Sequence, residues 1–314
     1  MPNGVSEARF AAAWAARRAN FPDEITFSVP GSLHYDAAFF TNRRDSFAVV
    51  SVTGTRCALR CEHCHGKLLS GMLPAETPEA LVQLGTALAE RGCSGVLLSG
   101  GCDPEGRVPL APYLGAVERL KGRGLTVLAH SGLVARTEAR ALRRAGVDQV
   151  LLDVIGDRET ARAVYHLDKG PEEYLRVLSE LKEEGLSVAP HVVVGLHFGE
   201  LRGERFAIEE IGRREVDRLV LVALKPLPGT RMAGRRGPGP EETAELAAWA
   251  RLRNPRAQLS FGCARPYGPS KLALERYLVD AGVNALAFPA DETVRYAEAR
   301  GLRYRFAERC CSMV

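Results

Sequence analysis

Cys57, Cys61 and Cys64 stand within eight residues of one another and are the part of this 314-residue chain with the plainest chemistry. They lie in Thr53–His65 in a C-x3-C-x2-C spacing, directly after an apolar run of strand length. Thiolates are soft ligands that select zinc or iron–sulfur clusters. Three on one compact loop can hold three irons of a [4Fe–4S] cluster and leave the fourth open. A closed structural zinc site would need a fourth protein ligand, for which His65 is near enough in sequence.

Five further cysteines, Cys93, Cys102, Cys263, Cys310 and Cys311, complete the set of eight. No signal peptide is visible in Met1–Phe10, and no apolar run approaches the ~20 residues that cross a bilayer. A soluble, cytoplasmic protein without membrane contact is expected, and in that reducing compartment clustered thiols point to metal or redox work. Cys93, in a helix-to-strand turn, is expected to be a small buried hydrophobe. Cys102, Cys263, Cys310 and Cys311 are enough for a second, auxiliary cluster, with Ser312 close enough to replace one of them. The alternative is that the terminal pair belongs to a frayed tail. Arg265 is a candidate for a substrate carboxylate or a cluster sulfide. The net charge of +4 is too small and too dispersed to argue for a nucleic-acid partner, and none is expected.

These residues need elements to position them, and the pattern supplies a repeating one. Strand-like runs fall at Phe47–Val52, Gly95–Ser99, Leu125–Ala129, Gln149–Asp153, Ser187–Gly195, Arg218–Leu224, Gln258–Gly262 and Asn284–Phe288. Amphipathic stretches lie between them; the first starts at the N-cap Thr77 with Pro78 behind it and stops at Gly92. Apolar strands alternating with helices predict an α/β fold with a parallel sheet buried on both faces, and eight units predict a complete TIM-type (β/α)8 barrel. A doubly wound sheet would carry a nucleotide-binding glycine pattern after its first strand, and none is present. The expected division is an N-terminal extension over 1–46, a barrel over 47–301 and a tail over 302–314 that folds back over the barrel mouth. In such barrels chemistry sits at the carboxyl ends of the strands, where Cys57, Cys102, His130, Asp153, His191, His197 and Cys263 all fall. Each histidine, taken singly, is more often a satisfied polar residue than a ligand. For Asp153 the competing role is a helix N-cap.

The cysteine loop resembles that of the radical SAM superfamily, in which the same spacing after the first barrel strand binds the catalytic [4Fe–4S] cluster. The resemblance implies that S-adenosylmethionine chelates the open iron through its amino and carboxylate groups and is cleaved reductively to a 5′-deoxyadenosyl radical. It also implies an electron donor of the ferredoxin or flavodoxin type. His63 stands where the family usually has an aromatic residue near the adenine. Ser99–Asp103 is similar to a Gly-Gly-Glu-type motif that contacts the methionine amino group, which implicates Gly100, Gly101 and Asp103. Asp153 matches a ribose-contacting position. Val192–Gly195 resembles the glycine motif flanking the adenosine. Leu224–Thr230 resembles the segment of biotin-synthase-type members whose backbone, here Leu224, contacts adenine.

Cys64–Leu69, Gly106–Leu110, Gly262–Pro266 and the terminal Cys-Cys together resemble one biotin-synthase-like branch over roughly residues 45–314. That branch includes the second component of the two-protein lipoyl synthase. The resemblance implies sulfur insertion into an octanoyl chain on a carrier-protein lysine, with a sacrificial auxiliary cluster as donor and a companion component as partner. The alternative is a mutase or metallocofactor maturase of the same group, without sulfur donation. Histidines stand where biotin synthase has auxiliary cysteines, which argues against a true biotin synthase.

Overall fold

The computed structural model describes residues 6–265 and 268–314, so Pro266 of the Gly262–Pro266 segment and the first five residues lie outside the described residues. Its main sheet contains β1 (Glu24–Ser28), β2 (Ala48–Ser51), β3 (Leu73–Pro74), β4 (Gly95–Ser99), β5 (Thr126–His130) and β6 (Gln149–Asp153). It continues with β7 (Val188–Val194), β8 (Arg218–Ala223), β9 (Gln258–Phe261), β10 (Ala285–Ala287) and β11 (Arg303–Ala307). The order is β11-β1-β10-β9-β8-β7-β6-β5-β4-β2-β3, and every pairing is parallel.

Alternation along the strands divides the core in two. Val127, Val150, Leu152, Val192, Leu219 and Leu221 face outward into the helix layer. Leu128, Leu151, Ala189, Val220 and Ala287 meet Phe47 and Cys311 in one inner cluster. Side chains from β5 to β8, from β10 and from the residue preceding β2 therefore touch, so the sheet curls until its two ends share an interior. The helices start and stop as the sequence indicates. Thr77 caps Pro78–Glu90 by accepting from the Ala80 amide at 3.1 Å, and the stretches after Gly170 and Gly239 form Pro171–Glu183 and Pro240–Arg253.

The sheet differs from a closed eight-stranded barrel. Among the described residues no ladder joins its two edges, β3 and β11. Both edges resist pairing: Pro74 has no amide to donate, and the exposed Arg303 and Arg305 put charge on the other edge. β1 comes from the segment read as an extension; its Ile25 and Phe27, and Val29 just beyond it, are fully buried. It lies between β10 and β11, so the chain before residue 47 and the chain after 301 both build the sheet. Beyond β11 the chain turns into the concavity. Ser28 Oγ donates to the Arg309 carbonyl at 2.6 Å, and Arg218 Nη1 donates to Val314 O at 3.2 Å.

Arg265 is committed to the fold. Its guanidinium donates to the Ala287 and Phe288 carbonyls and pairs with Glu275 at 2.8 Å, both side chains being almost wholly buried. These bonds all use Nη2, and the charge of the same guanidinium lowers the Cys263 thiol, which places Arg265 beside the second thiol-bearing segment. Removing one partner of a buried pair leaves the other charge uncompensated. Arg265→Ala should therefore lower stability by about 3–5 kcal/mol in chemical denaturation while iron bound by the cysteine loop persists in the folded fraction.

Candidate active site

The cysteine loop leaves β2 through a chain of short contacts. Ser51 Oγ donates to the Gly54 carbonyl at 2.7 Å, and Tyr113 Oη donates to the Val52 carbonyl at 2.8 Å. Gly54, Arg60, His65 and Gly66 all take positive φ, so the loop is wound tightly around its thiols. Cys64 and His65 amides both donate back to the Cys61 carbonyl, and the Lys67 amide donates to the Cys64 carbonyl. The adjacent Ser99–Asp103 turn fixes the loop from the other side. Gly101 donates its amide to Thr53 Oγ1 at 2.7 Å, and the Ala58 amide donates to the Cys102 carbonyl at 2.9 Å. A β-carbon at Gly101 would collide with the Arg56 carbonyl and stand 2.5 Å from Cys57 Cα. Gly100 is nearly as confined, 3.1 Å from Thr53 Oγ1 by the same measure. Both glycines thus pack the strand end against the cysteine loop.

Cys57, Cys61 and Cys64 gather in an apolar nest with Leu59, Leu133, Tyr165 and Leu167, and Cys102 joins them there. The Cys61 thiol donates to Cys64; that hydrogen bond, aided by His63 against the effect of burial, lowers the Cys64 thiol to about 4. The same bond, with burial and the neighbouring sulfurs, pushes Cys61 up. Burial, with Cys57 and Asp153 beside it, raises Cys102 to about 12. One buried donor favouring a thiolate neighbour suits a soft cationic centre. His63 adds a buried Nδ1 without a hydrogen-bond partner among the described residues. His65, the zinc alternative's fourth ligand, is exposed. The donor set fits a [4Fe–4S] cluster on three thiolates.

A polar recess continues from this nest. The His63 and Tyr165 rings are 5.4 Å apart, and Tyr165 Oη lies 3.5 Å from Asp153 Oδ2. His130 Nε2 stands 3.7 Å from Asp153 Oδ1, and His191 follows with its ring 6.1 Å from that of His130. Burial opposes ionisation of Asp153, but the charge and hydrogen bond of His130 outweigh it and hold the carboxyl at about 2. Burial depresses His130 as well, yet Asp153 raises it overall, whereas burial takes His191 down to about 4. Asp153 is not a helix cap: Asp157 caps Arg158–Tyr165 by accepting from the Thr160 amide at 2.8 Å. A cleft lined by Asp153, Gly156, Asp157, His191, Val193 and Glu204 opens beside the pair.

Near His130 lies a second thiol group, Cys263, Cys310 and Cys311, beside a cavity that also touches Ser28, Phe47 and Leu97. The single S–H of Cys311 lies between Cys263 and Cys310; hydrogen bonding to it lowers Cys263 and takes Cys310 to about 6, with Ser312 Oγ donating to Cys310 Sγ at 3.3 Å. Gly262 makes the room, since a β-carbon there would meet Val222 at 2.7 Å and Cys311 Sγ at 3.4 Å. Cys102 is not part of this group. The short Ser99–Asp103 turn holds it against Cys57, which separates it from its expected partners. Cys93 is buried and its Sγ donates to the Gly95 carbonyl at 3.2 Å, a packing role.

Among the other expected contacts, Asp103 Oδ1 accepts from the Glu105 and Arg107 amides at 3.0 and 2.8 Å and so closes its own turn. Gly195 has φ +76° and donates to Glu204 Oε1 at 2.8 Å, and the buried Leu224 extends the ladder by donating to the Val194 carbonyl at 2.9 Å. His197 Nδ1 is 3.1 Å from Thr160 Oγ1. Three site residues escaped the sequence reading. Tyr165 bridges the thiol nest to Asp153. Glu204 fixes the glycine turn after β7 through the Gly195, Arg202 and Gly203 amides. Buried Glu62 pairs with Arg231 at 3.0 Å and lies 3.5 Å from His166 Nε2. Only Glu62 carried a signal, as the single acid within the cysteine motif.

Because Gly101 touches the backbone of Cys57, Gly101→Ala should displace the loop without disturbing the hydrophobic core. We expect circular dichroism like that of the parent and loss of most iron bound by this loop after anaerobic reconstitution, measured by iron and sulfide content.

The sequence profile of the Radical SAM superfamily matches residues 51–203, the span that holds the cysteine loop, Asp153, His191 and Gly195. Fe-coproporphyrin III synthase of Methanosarcina barkeri is 31% identical over 137 residues, which cover 42% of this chain and 33% of that protein. Biotin synthase of Desulforudis audaxviator is 28% identical over 212 residues, covering 62% of this chain and 60% of the relative. The matches thus span a third and 60% of the lengths of these two relatives. The crystal structure of methylornithine synthase aligns with a TM-score of 0.65 at 16% identity over 95% of this chain and 89% of that one, a likeness of fold. No helix among the described residues is long and apolar enough to cross a membrane. Three thiols on the loop that follows β2 thus lie within the segment that matches the Radical SAM superfamily, and biotin synthases are among the similar proteins.

Proposed function

We propose that this chain is a radical SAM enzyme that inserts sulfur into an unactivated C–H bond of an octanoyl chain on a carrier-protein lysine, as a lipoyl synthase component. The observation that carries the reading is that two thiol groups border one polar recess, Cys102 of the first beside Asp153 and Cys310 of the second beside His130. Cys57, Cys61 and Cys64 would hold three irons of a [4Fe–4S] cluster which, together with S-adenosylmethionine, would supply a 5′-deoxyadenosyl radical. His63 and Tyr165 offer flat surfaces beside them, and ionised Asp153 accepts hydrogen bonds from ribose hydroxyls. The backbone at Gly195 and Leu224 flanks the adenosine. Cys263, Cys310 and Cys311, with Ser312 in place of Cys102, would hold an auxiliary cluster able to supply the sulfur. The apolar lining given by Phe47 and Leu97 keeps water from the carbon radical. The companion component, the octanoylated carrier and a ferredoxin- or flavodoxin-type donor are the partners this reading requires.

The test is the Cys57→Ala, Cys61→Ala, Cys64→Ala triple variant, reconstituted anaerobically and examined by Mössbauer spectroscopy. Two clusters predict about eight irons in the parent and about four remaining in the variant. A variant without any cluster, together with a parent of about four irons, would favour a mutase or maturase without sulfur donation. The matching assay gives octanoyl-lysine peptide to the parent, with and without companion component, and follows the mass of thiolated product.

A further inference from the structure

The chain's small net charge conceals a local concentration of cations around the cysteine loop. Thr53–Ala75 contains Arg56, Arg60 and Lys67 against one acid, Glu62, and Lys225–Pro240 contains four cations and no acid. The two segments meet in space. Arg231 reaches across to Glu62 at 3.0 Å, and a β-carbon on Gly229 would lie 2.7 Å from Lys67 Nζ. Glu62 is buried, so its charge does not show at the surface. Arg56 and Arg231 side chains are 72% and 80% exposed, and Arg60, Lys67, Arg235 and Arg236 are exposed as well. Glu76, an acid at this rim, pairs with Arg56. Arg235 lies over the Phe198 ring at 5.8 Å, which carries the patch toward the turn after β7. Within the patch Leu68, half exposed on the turn Lys67–Gly71, supplies an apolar contact three residues beyond His65.

From this arrangement we infer that the rim formed by Arg56, Arg60, Lys67, Leu68, Arg235 and Arg236 is the docking surface for an acidic one-electron carrier protein. The inference rests on the cluster assignment proposed above. One electron leaves the carrier and enters the cluster held by Cys57, Cys61 and Cys64, and no atom is transferred. The loop bearing those thiols is itself part of the rim, so a docked carrier stands beside the acceptor, while the recess of Asp153 and His130 opens on the other side of Tyr165. Transient electron-transfer interfaces are small, below about 1,200 Å², and gain speed from complementary charge rather than buried area. Five exposed cations around one leucine fit that type of contact. An acidic acyl carrier is the competing occupant. It is disfavoured because the patch surrounds the thiol loop and not the second thiol group, where the acyl chain must reach sulfur.

The test compares the reconstituted parent with a Lys67→Glu, Arg235→Glu, Arg236→Glu variant, using reduced flavodoxin as the acidic donor and dithionite as the small-molecule control. Cluster reduction is followed by stopped-flow absorbance and freeze-quench EPR, and association of oxidised flavodoxin is followed separately. We expect flavodoxin-driven reduction to slow by at least about tenfold and its salt dependence to flatten. Iron content and dithionite-driven reduction should match the parent. Unchanged flavodoxin rates in the variant would overturn the proposal, as would donor association insensitive to salt in the parent. So would a variant in which binding of an octanoylated carrier weakens while flavodoxin reduction does not. Failure of dithionite to reduce any cluster in the parent would remove the cluster assignment and the docking surface with it.

Discussion

The contact between Gly101 and the backbone of Cys57 is the constraint on which the rest of the site depends. A loop with three sulfur ligands has to be tightly wound and also pressed against the sheet, because thiolates that wander cannot hold a cluster in one place. Winding comes from the positive-φ residues between Gly54 and Gly66. Pressing comes from the turn after β4, where no β-carbon intervenes and the Gly101 amide bonds Thr53. The same turn brings Cys102 into the thiol nest. A glycine pair of this kind can serve the packing of the protein on itself before it serves any ligand.

Curling of the sheet converts this local order into an active-site geometry. Cys57 follows β2 near one end of the sheet, whereas Cys263 follows β9 and Cys310 follows β11 near the other. In a flat sheet those thiols would be far apart. The shared inner cluster of Phe47, Leu128, Leu151, Ala189, Val220 and Ala287 brings the ends around, and the inward residues of β5, β6 and β7 place His130, Asp153 and His191 between the two thiol groups. The acid and imidazole sustain each other's charged forms in a half-buried recess, a polar floor beside an otherwise apolar interior.

Much of this was legible in the sequence because it rests on short-range patterns. The cysteine spacing, the Thr77 cap and the apolar runs from β4 to β10 each report local structure, and their order placed His130, Asp153 and Cys263 at one rim. What was not legible depends on contacts between distant segments. Glu24–Ser28 has one acid and two hydroxyl residues in five, so it does not read as a buried strand until β10 and β11 flank it. Cys102 and Cys263 look equivalent as cysteines after strands, and only the reach of each turn assigns them to different groups. Tyr165 ends a helix with no motif around it, and its place between His63 and Asp153 follows from the path of Arg158–Tyr165 over the mouth.

The account turns on one iron having no protein ligand. Electron–nuclear double resonance on the reduced protein with S-adenosylmethionine labelled by 15N at its amino group addresses that iron directly. The account predicts a resolved coupling between the label and the cluster, lost when Cys57, Cys61 and Cys64 are replaced. A reduced cluster with four protein donors and no coupling to the label would contradict it.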